Sequence, residues 1–357
     1  MPQPPGAEIT VGTKRGGDEP MVDVYTACPP MDGHSPGSYR KLLIDVARGT
    51  EETGFTGILT HTDNTTLDPW AAAQLIIEHT DNLVPLVAVN PIYMHPLSAA
   101  RMINTLGYFC DRRVDLNLVS GGFARHLREA GCILDHDQRY DRLAEYGEVL
   151  KLLLTAERPV SHSGQYYELK SANLTPKLAP ELMPGFFVSG ASDACRQAQQ
   201  ALGATRLSYP HAISSYQGSL PLQGTGVGFG VIARESTAEA WSVAHDRFPV
   251  DELGEELHEY ASGSAESHWH RKLSHDAEFT TARESPYWLY PFKSYKTFSP
   301  YLVGSHAEVA EALSGYLSLG VSTVILDGLL EQTDLHHAAL AFDLARAGVP
   351  PRQHTDR

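Results

Sequence analysis

The side chains of this chain that could do chemistry stand directly after short apolar runs, where predicted strands end. They are mostly small, hydroxyl and amide groups with little charge, so they suit a neutral organic ring system better than a metal ion. The first such positions are Thr60, His61, Thr62, Asp63 and Asn90. Further along the chain come Asn117, Ser120, Ser189, Ala191, Ser192, Tyr209, His211 and Asp327.

Three of these positions lie in one short segment of small residues, Ser189-Gly190-Ala191-Ser192-Asp193. This segment is predicted to form the turn between a strand and a helix. The first backbone N–H groups of a helix have no partner within the helix, and together with the Ser192 hydroxyl they could hold an anion. The alternative is that Ser192 only caps the helix.

Two asparagines stand where buried strands end. Asn117 follows an apolar run within Arg113 to Val119, and Asn90 follows the run Leu83 to Val89. A buried amide without a partner is costly, so each must bind something. The partner is either a side chain on a neighbouring strand or a bound ligand.

The elements that must position these groups alternate regularly between strand and helix. Eight segments read as strands: Val22 to Ala27, Gly57 to Thr60, Leu83 to Val89, Arg113 to Val119, Gly185 to Val188, Thr205 to Ser208, Val227 to Ala233 and Thr323 to Leu326. Amphipathic helical segments separate them, including one from Arg139 to Leu154 that Asp137 could cap. Eight strands in this alternation predict an α/β fold, a closed parallel (β/α)₈ TIM barrel, rather than an open sheet.

The barrel is expected to occupy residues 21–347 as a single domain with insertions. A hairpin is predicted within residues 160–180, and residues 249–300 form a long aromatic insertion. A long excursion without regular structure is usually a functional lid or disordered. Residues 1–20, rich in Pro, Gly and charge, are expected to form a disordered tail, and residues 348–357 a second tail.

Composition excludes several classes of function. The formal net charge of −15 argues against nonspecific binding to nucleic acid or to an anionic membrane, since both need a basic surface. Cys28, Cys110, Cys132 and Cys195 are too widely spaced for a zinc site or a disulfide framework. No apolar run approaches the roughly 20 residues that a membrane span needs. A cytoplasmic enzyme without a metal is therefore expected.

Two motifs carry a resemblance to a known family. Asn117-Leu118-Val119-Ser120-Gly121 ends the fourth predicted strand, and His136-Asp137-Gln138-Arg139-Tyr140 follows downstream. Together they resemble the bacterial luciferase-like flavin-dependent monooxygenases, in particular the alkanesulfonate monooxygenase branch. The resemblance covers about Val22 to Arg346 and is weakest from Ser208 to Pro300.

The resemblance implies a site for FMN. It gives Tyr140 and Ser192 contacts to the flavin phosphate, and it places His136 near the ribityl chain. It puts Asn117 beside the ring or the ribityl chain and the segment from His61 to Asp63 against the isoalloxazine. The full set of implied cofactor-binding residues is Asp63, Asn90, Asn117, Ser120, His136, Tyr140, Ser189, Ala191 and Ser192.

Several positions depart from the alkanesulfonate pattern. Thr66 stands where those enzymes have a cysteine, Gly228 and Gly230 replace an Arg-x-His pair, Leu329 replaces a tyrosine, and Pro30 lies where the histidine of the first loop would fall. The basic groups that would bind a sulfonate are thus mostly missing, unless Arg283, Lys293 or Lys296 of the insertion replace them. Simple alkanesulfonates are therefore expected to be poor substrates.

The resemblance implies a two-component monooxygenase that oxygenates a small organic substrate with O₂, with specialised metabolism as one setting for such an enzyme. The chain has no GxGxxG fingerprint for a nicotinamide cofactor, so reduced FMN would come from a separate flavin reductase. The acid and base candidates are His34, His61 and His211. A homo-oligomer, a dimer or a tetramer, is also expected.

Two other functions remain open at this point. A sister group with the same architecture uses a deazaflavin, and the replaced positions also allow a flavin-binding relative without catalysis. For the insertion 249–300, its many aromatic residues indicate either a lid over the flavin or packing against the barrel or a second subunit.

Overall fold

The computed structural model describes residues 22–218, 220–264 and 286–348. Its strands are β1 (Asp23–Ala27), β2 (Gly57–Thr60), β3 (Val84–Val89), β4 (Asp115–Leu118), β5 (Val160–Ser163), β6 (Glu168–Ala172), β7 (Phe186–Ser189), β8 (Thr205–Ser208), β9 (Thr225–Arg234), β10 (Tyr287–Trp288), β11 (Tyr301–Ser305) and β12 (Val321–Asp327). Its α-helices are α1 (Pro36–Glu52), α2 (Pro69–Ile77), α3 (Pro96–Cys110), α4 (Ala124–Glu129), α5 (His136–Thr155), α6 (Asp193–Leu202), α7 (Thr237–Arg247), α8 (Glu252–Ser264), α9 (Tyr290–Lys293), α10 (His306–Ser318) and α11 (Gln332–Arg346). Within these ranges, no helix is long and apolar enough to cross a membrane.

Eight of these strands close into a parallel barrel. Around the ring the order is β1, β2, β3, β4, β7, β8, β9 and β12, and β12 pairs with β1 to complete it. The predicted (β/α)₈ barrel is therefore confirmed, and each of the eight predicted segments overlaps one barrel strand, although β7, β9 and β12 extend beyond the predicted bounds. Short apolar runs form these strands because a parallel strand in a barrel is covered on both faces.

Strand β9 is longer than the barrel needs. Its residues Thr225 to Gly230 pair with β12, and Thr225 to Val227 also pair with β8. Its last part, Gly230 to Arg234, pairs with β11 beyond the end of β12. Strand β10 adds to β11 in antiparallel fashion. We call residues 231–264 and 286–305, which are built on this extension, the cap.

The cap has its own apolar cluster of Ile232, Ala240, Ala244, Phe248, Trp288, Tyr301 and Val303. It packs on the barrel through Tyr287, Leu289, Phe292 and Leu302, which belong to the same apolar cluster as barrel residues such as Phe229. The part of residues 249–300 that the structure describes is thus not structureless, since it contains α8, β10 and α9. Tyr287, Trp288 and Phe292 are buried, which supports the packing alternative for these aromatics. Trp269 and Arg283 lie outside the described residues.

Local capping defines where the helices begin. Asp68 accepts hydrogen bonds from two backbone N–H groups of α2, and Pro69 fits its first position. Asp135 and Gln138 form a capping box, so α5 begins at His136 instead of the predicted Arg139. Asp135 is therefore the cap, and the prediction of Asp137 in that role was wrong. The predicted hairpin is confirmed as β5 and β6.

A buried carboxylate ties together strands that are not neighbours. The Tyr25 hydroxyl of β1 donates to Asp115 Oδ2 of β4 at 2.7 Å, across the barrel interior. The backbone N–H of Gly185 donates to Asp115 Oδ1 at 2.6 Å, and Arg113 lies 3.2 Å from Oδ2. Burial raises the pKa of Asp115, partly offset by the neighbouring Arg113 charge. Each donor to this carboxylate therefore matters for stability.

We expect Tyr25→Phe to lower the free energy of unfolding by about 1.5–3 kcal/mol, because a hydrogen bond to a buried charged group is lost. Tyr316→Phe is the matched control, since the equally buried Tyr316 hydroxyl donates to the neutral carbonyl of His211 at 2.7 Å. It should cost only about 0.5–1.5 kcal/mol. Urea unfolding of both variants gives the comparison, and equal losses would mean that Asp115 is not held as a charged group.

Candidate active site

A cavity of about 690 Å³ opens at the carboxyl ends of the barrel strands, where the sites of TIM barrels lie. Residues after β1, β2, β3, β4, β7, β8 and β12 line it, and cap residues line it as well. The structure brings ten of the predicted site residues to its wall: His61, Asp63, Asn90, Asn117, Ser120, His136, Tyr140, Ser189, Ala191 and Ser192.

Two predicted acid or base candidates do not reach this cavity. His34 is exposed in the loop after β1 and contacts Tyr39. His211 lies after β8, where its backbone is bound by the hydroxyls of Tyr216 and Tyr316. Neither residue is among those that line the cavity. A position in the loop after a strand was not enough to predict a place at the cavity, because the loops turn these two side chains away from it.

The residues Arg139, Tyr140, Ser189, Gly190, Ala191 and Ser192 form one wall, which we call the anion pocket. The Tyr140 hydroxyl donates to the Ser189 carbonyl at 3.0 Å. Burial raises the pKa of Tyr140 well above its usual value, so the hydroxyl keeps its single proton, which would have to turn from the Ser189 carbonyl to donate to a ligand. Gly190 has φ +144°, and a Cβ there would lie 2.3 Å from the Tyr140 hydroxyl. Only glycine therefore allows the turn to pass so close to Tyr140.

Ser192 caps α6, since its Oγ accepts a hydrogen bond from the backbone N–H of Cys195 at 3.2 Å. The predicted capping by Ser192 is thus confirmed, and it does not exclude a second role for its hydroxyl. Capping uses a lone pair of the hydroxyl oxygen and leaves its O–H to donate elsewhere. Arg139 places a buried guanidinium at the same wall, where it also donates to the Leu134 carbonyl at 3.2 Å. The pocket therefore combines a cation with neutral donors.

Asn117 finds its partner on the neighbouring strand. The Ser189 hydroxyl of β7 donates to Asn117 Oδ1 at 2.8 Å. Asn117 lines the cavity, and no described residue accepts a hydrogen bond from its Nδ2. Asn90 is similar, because its Oδ1 accepts from the backbone of Ile92 at 3.2 Å. The amide oxygen of each asparagine is thus held by the protein, and a ligand could accept a hydrogen bond from the amide nitrogen of Asn117.

Sequence reasoning did not single out three residues at the cavity: His126, Arg247 and Tyr301. Tyr209, which the sequence places after a predicted strand, lines the cavity as well, and the position of His126 after β4 was a similar signal. Arg247 ends helix α7, and the last turn of a barrel helix normally lies away from the active face. Only the extension of β9 raises α7 high enough to bring Arg247 to the cavity.

Cys28 also lines the cavity, at the end of β1. Burial raises the pKa of its thiol to about 12. The thiol therefore stays protonated at neutral pH, and it is a poor nucleophile.

The positions that depart from the alkanesulfonate pattern now have a structural explanation. A Cβ at Gly230 would lie 2.2 Å from the Tyr301 ring, and one at Gly228 would lie 3.3 Å from the Tyr209 ring. These glycines make room for two tyrosines that line the cavity. Leu329 is buried in the apolar core, and Thr66 lines the cavity while its Oγ accepts from the backbone of Asp63 at 3.1 Å.

The two lysines considered as sulfonate partners are already engaged. Lys293 pairs with Glu255 at 3.0 Å, and it does not line the cavity. Lys296 does line the cavity, but it forms an ion pair with Asp251. Neither offers an uncompensated positive charge to a substrate.

A closed parallel barrel with a cavity at the carboxyl ends of its strands is the architecture of an α/β-barrel enzyme. The chain matches the luciferase-like monooxygenase family over residues 24–323, and it belongs to that family. It is 33% identical over 313 residues to the BtrO monooxygenase of Niallia circulans, with 86% of this chain and 90% of that protein covered. By its name, BtrO acts on a 4-(gamma-L-glutamylamino)butanoyl group carried by the BtrI acyl-carrier protein.

Solved structures share the fold at low sequence identity. EDTA monooxygenase from Chelativorans sp. BNC1 is 16% identical, with a TM-score of 0.68 over 94% of this chain and 96% of that one. The oxygenating constituent of 3,6-diketocamphane monooxygenase from Pseudomonas putida, in complex with FMN, is 16% identical, with a TM-score of 0.67 over 93% and 100%. An F420-dependent secondary alcohol dehydrogenase reaches 0.62 at 13% identity over 91% and 99%. The fold alone therefore does not separate a flavin from a deazaflavin.

We expect Gly230→Ala to lower the free energy of unfolding by about 1–3 kcal/mol, because the new methyl group overlaps the buried Tyr301 ring. Gly228→Ala is the control, since its Cβ only touches Tyr209, and it should cost clearly less. Thermal unfolding compares the two variants. An unchanged stability for Gly230→Ala would contradict the proposed role of this glycine in seating Tyr301.

Proposed function

We propose that this chain is the oxygenase of a two-component system, which uses reduced FMN and O₂ to oxygenate an organic substrate. The observation that carries the proposal is the anion pocket, where the buried Arg139, the Tyr140 hydroxyl and the start of α6 converge at one wall of the cavity. A dianionic phosphate needs this combination of a cation, hydroxyl donors and backbone N–H groups.

The remaining residues suit the neutral part of FMN. The amide nitrogen of Asn117 can donate to the ring edge or the ribityl chain, and His136 stands beside Tyr140 with ring centroids 5.2 Å apart. Gly190 allows close approach of the backbone, because a side chain there would fill the space at Tyr140. We therefore assign Asp63, Asn90, Asn117, Ser120, His136, Tyr140, Ser189, Ala191 and Ser192 to the cofactor site.

Reduced FMN, when bound, supplies the activation of O₂ and the transfer of one oxygen atom to the substrate. The protein binds and orients the cofactor, and the apolar cluster of the cap limits water at the cavity. His61 and His126 line the cavity and are the residues we assign to proton movement. His34 and His211 are not part of this assignment.

We extend the proposal to the substrate. BtrO, which is 33% identical over most of this chain, acts on an acyl group that is attached to a carrier protein. At the edge of the cavity the half-exposed Phe123 and Phe298 are in ring contact at 5.8 Å. An aromatic edge of this kind suits the apolar part of a linear acyl chain. We propose an acyl group carried as a thioester as the substrate, with a free small molecule as the alternative.

We expect Ser192→Ala to weaken FMN binding roughly 5- to 100-fold, which corresponds to about 1–3 kcal/mol for a hydrogen bond to a charged phosphate. Tyr140→Phe should act in the same direction. Ser236→Ala is the control, since Ser236 caps α7 with a similar bond to the backbone of Glu239 at 3.2 Å and does not line the cavity. Both serine variants should lose about 1 kcal/mol of stability.

Fluorescence titration of FMN measures the affinities of these variants. If Ser192→Ala and Ser236→Ala bind FMN equally well, Ser192 acts only as a cap and not as part of a phosphate site.

We also expect the purified chain not to oxidise NADH or NADPH with FMN. It should consume O₂ when chemically reduced FMN is supplied, because the reductase is a separate protein. Reduced deazaflavin is the parallel test, and it should neither bind comparably nor support turnover. Robust NAD(P)H oxidation by the chain alone would overturn the two-component assignment, and a preference for the deazaflavin would favour the alternative cofactor.

A further inference from the structure

Arg247 brings a net positive charge to the cavity wall opposite the anion pocket. Its guanidinium donates to Asp334 Oδ2 at 2.8 Å and to the Gly328 carbonyl at 3.1 Å. Asp334 is buried and also accepts from the buried Arg234 at 2.8 Å. Two arginines therefore share one carboxylate, which leaves one uncompensated positive charge in this group. Arg247 is the member that lines the cavity.

Tyr301 adds a neutral donor at the same place. Its side chain is only 1% exposed, yet it lines the cavity. Its hydroxyl has no hydrogen-bond partner among the described residues, and it is not among their fully buried side-chain atoms, so a ligand in the cavity could reach it. Burial raises the pKa of Tyr301 well above its usual value, so the hydroxyl keeps its proton. A ligand oxygen could accept from both Tyr301 and Arg247.

Asp327 supplies a negative charge to the same region. It ends β12 and lines the cavity. The Ser299 hydroxyl donates to its Oδ2 at 2.9 Å, and the Gly328 N–H donates to its Oδ1 at 2.9 Å. In the described part of the chain it forms no ion pair with Arg247, which is committed to Asp334. A cation and an anion thus stand beside Tyr301 without neutralising each other.

This wall is distinct from the anion pocket. Tyr140 contacts the end of β7, and the Arg247 group surrounds the ends of β9 and β12. β12 lies four strands from β4 around the ring of eight, so β4 and β12 face each other across the barrel. Because Arg139 already provides a cation to the anion pocket, a flavin phosphate does not require Arg247.

We propose that Arg247, Tyr301 and Asp327 bind an α-amino-acid head group at the far end of the substrate. The α-carboxylate accepts from Arg247 and the Tyr301 hydroxyl, and the α-ammonium donates to Asp327. The negative charge of Asp327 would repel a substrate that carries only a carboxylate at this end. The positive charge of Arg247 would repel a substrate that carries only an ammonium group. This inference deepens the proposed function and rests on it.

The test compares three amides by isothermal calorimetry with the FMN-loaded protein. L-Glutamine carries both charges, glutaramate lacks the ammonium, and 4-aminobutanamide lacks the carboxylate. L-Glutamine should bind about tenfold or more tightly than either analogue, because each lost charged hydrogen bond weakens binding by that order. Equal binding of glutamine and glutaramate would overturn the proposal.

Variants assign the two charges to residues. Arg247→Met should abolish the advantage of glutamine over 4-aminobutanamide, and Asp327→Asn should abolish its advantage over glutaramate. Lys293→Met is the matched control, because it removes one positive charge from the cap outside the cavity, and it should leave all three affinities unchanged. If Arg247→Met keeps the wild-type order, or if it weakens FMN binding instead, Arg247 does not bind the head group.

The two proposals fail separately. If FMN does not bind in the titration, the flavin site is rejected. The affinities of the same three amides for the cofactor-free protein would still test whether Arg247, Tyr301 and Asp327 bind the head group.

Discussion

Backbone hydrogen bonding by β9 is the constraint on which the rest of the structure depends. Its first residues close the barrel between β8 and β12, and its last residues pair with β11. A strand that ran past the rim without a partner would expose unpaired backbone groups. The β11 pairing satisfies them, and it fixes the cap to the barrel along a continuous strand. The position of α7, and with it Arg247, follows from this extension.

Much of the barrel and of the anion pocket could be predicted from the sequence, because their signals are local. Short apolar runs ended by polar residues define the barrel strands, and Ser192 marks the start of α6. Asn117 had to find a partner, and Ser189 on the adjacent strand provides it. These features depend on a few neighbouring residues. The luciferase-like family was recognised from two such short motifs.

The rest could not be predicted, because it depends on contacts between distant parts of the chain. From the sequence, Gly230 was interpreted only as the loss of a basic residue that the alkanesulfonate monooxygenases have. In the structure it makes room for Tyr301, which stands 71 positions later. Arg247 was overlooked, because nothing near it in the sequence shows that α7 is raised above the barrel. His34 and His211 follow strands as the active-site residues do, yet the path of their loops turns them away from the cavity.

The division of the cavity between barrel and cap has a consequence for the evolution of this enzyme. The anion pocket is built by turns that follow β4 and β7, whereas Arg247 and Tyr301 come from the cap. The chain enters the cap in the middle of β9 and leaves it once, where α10 begins. Mutations in the cap can therefore alter Arg247 and Tyr301 while the turns that build the anion pocket persist. Exchange of residues 231–305 between relatives is accordingly a natural unit for redirecting selectivity.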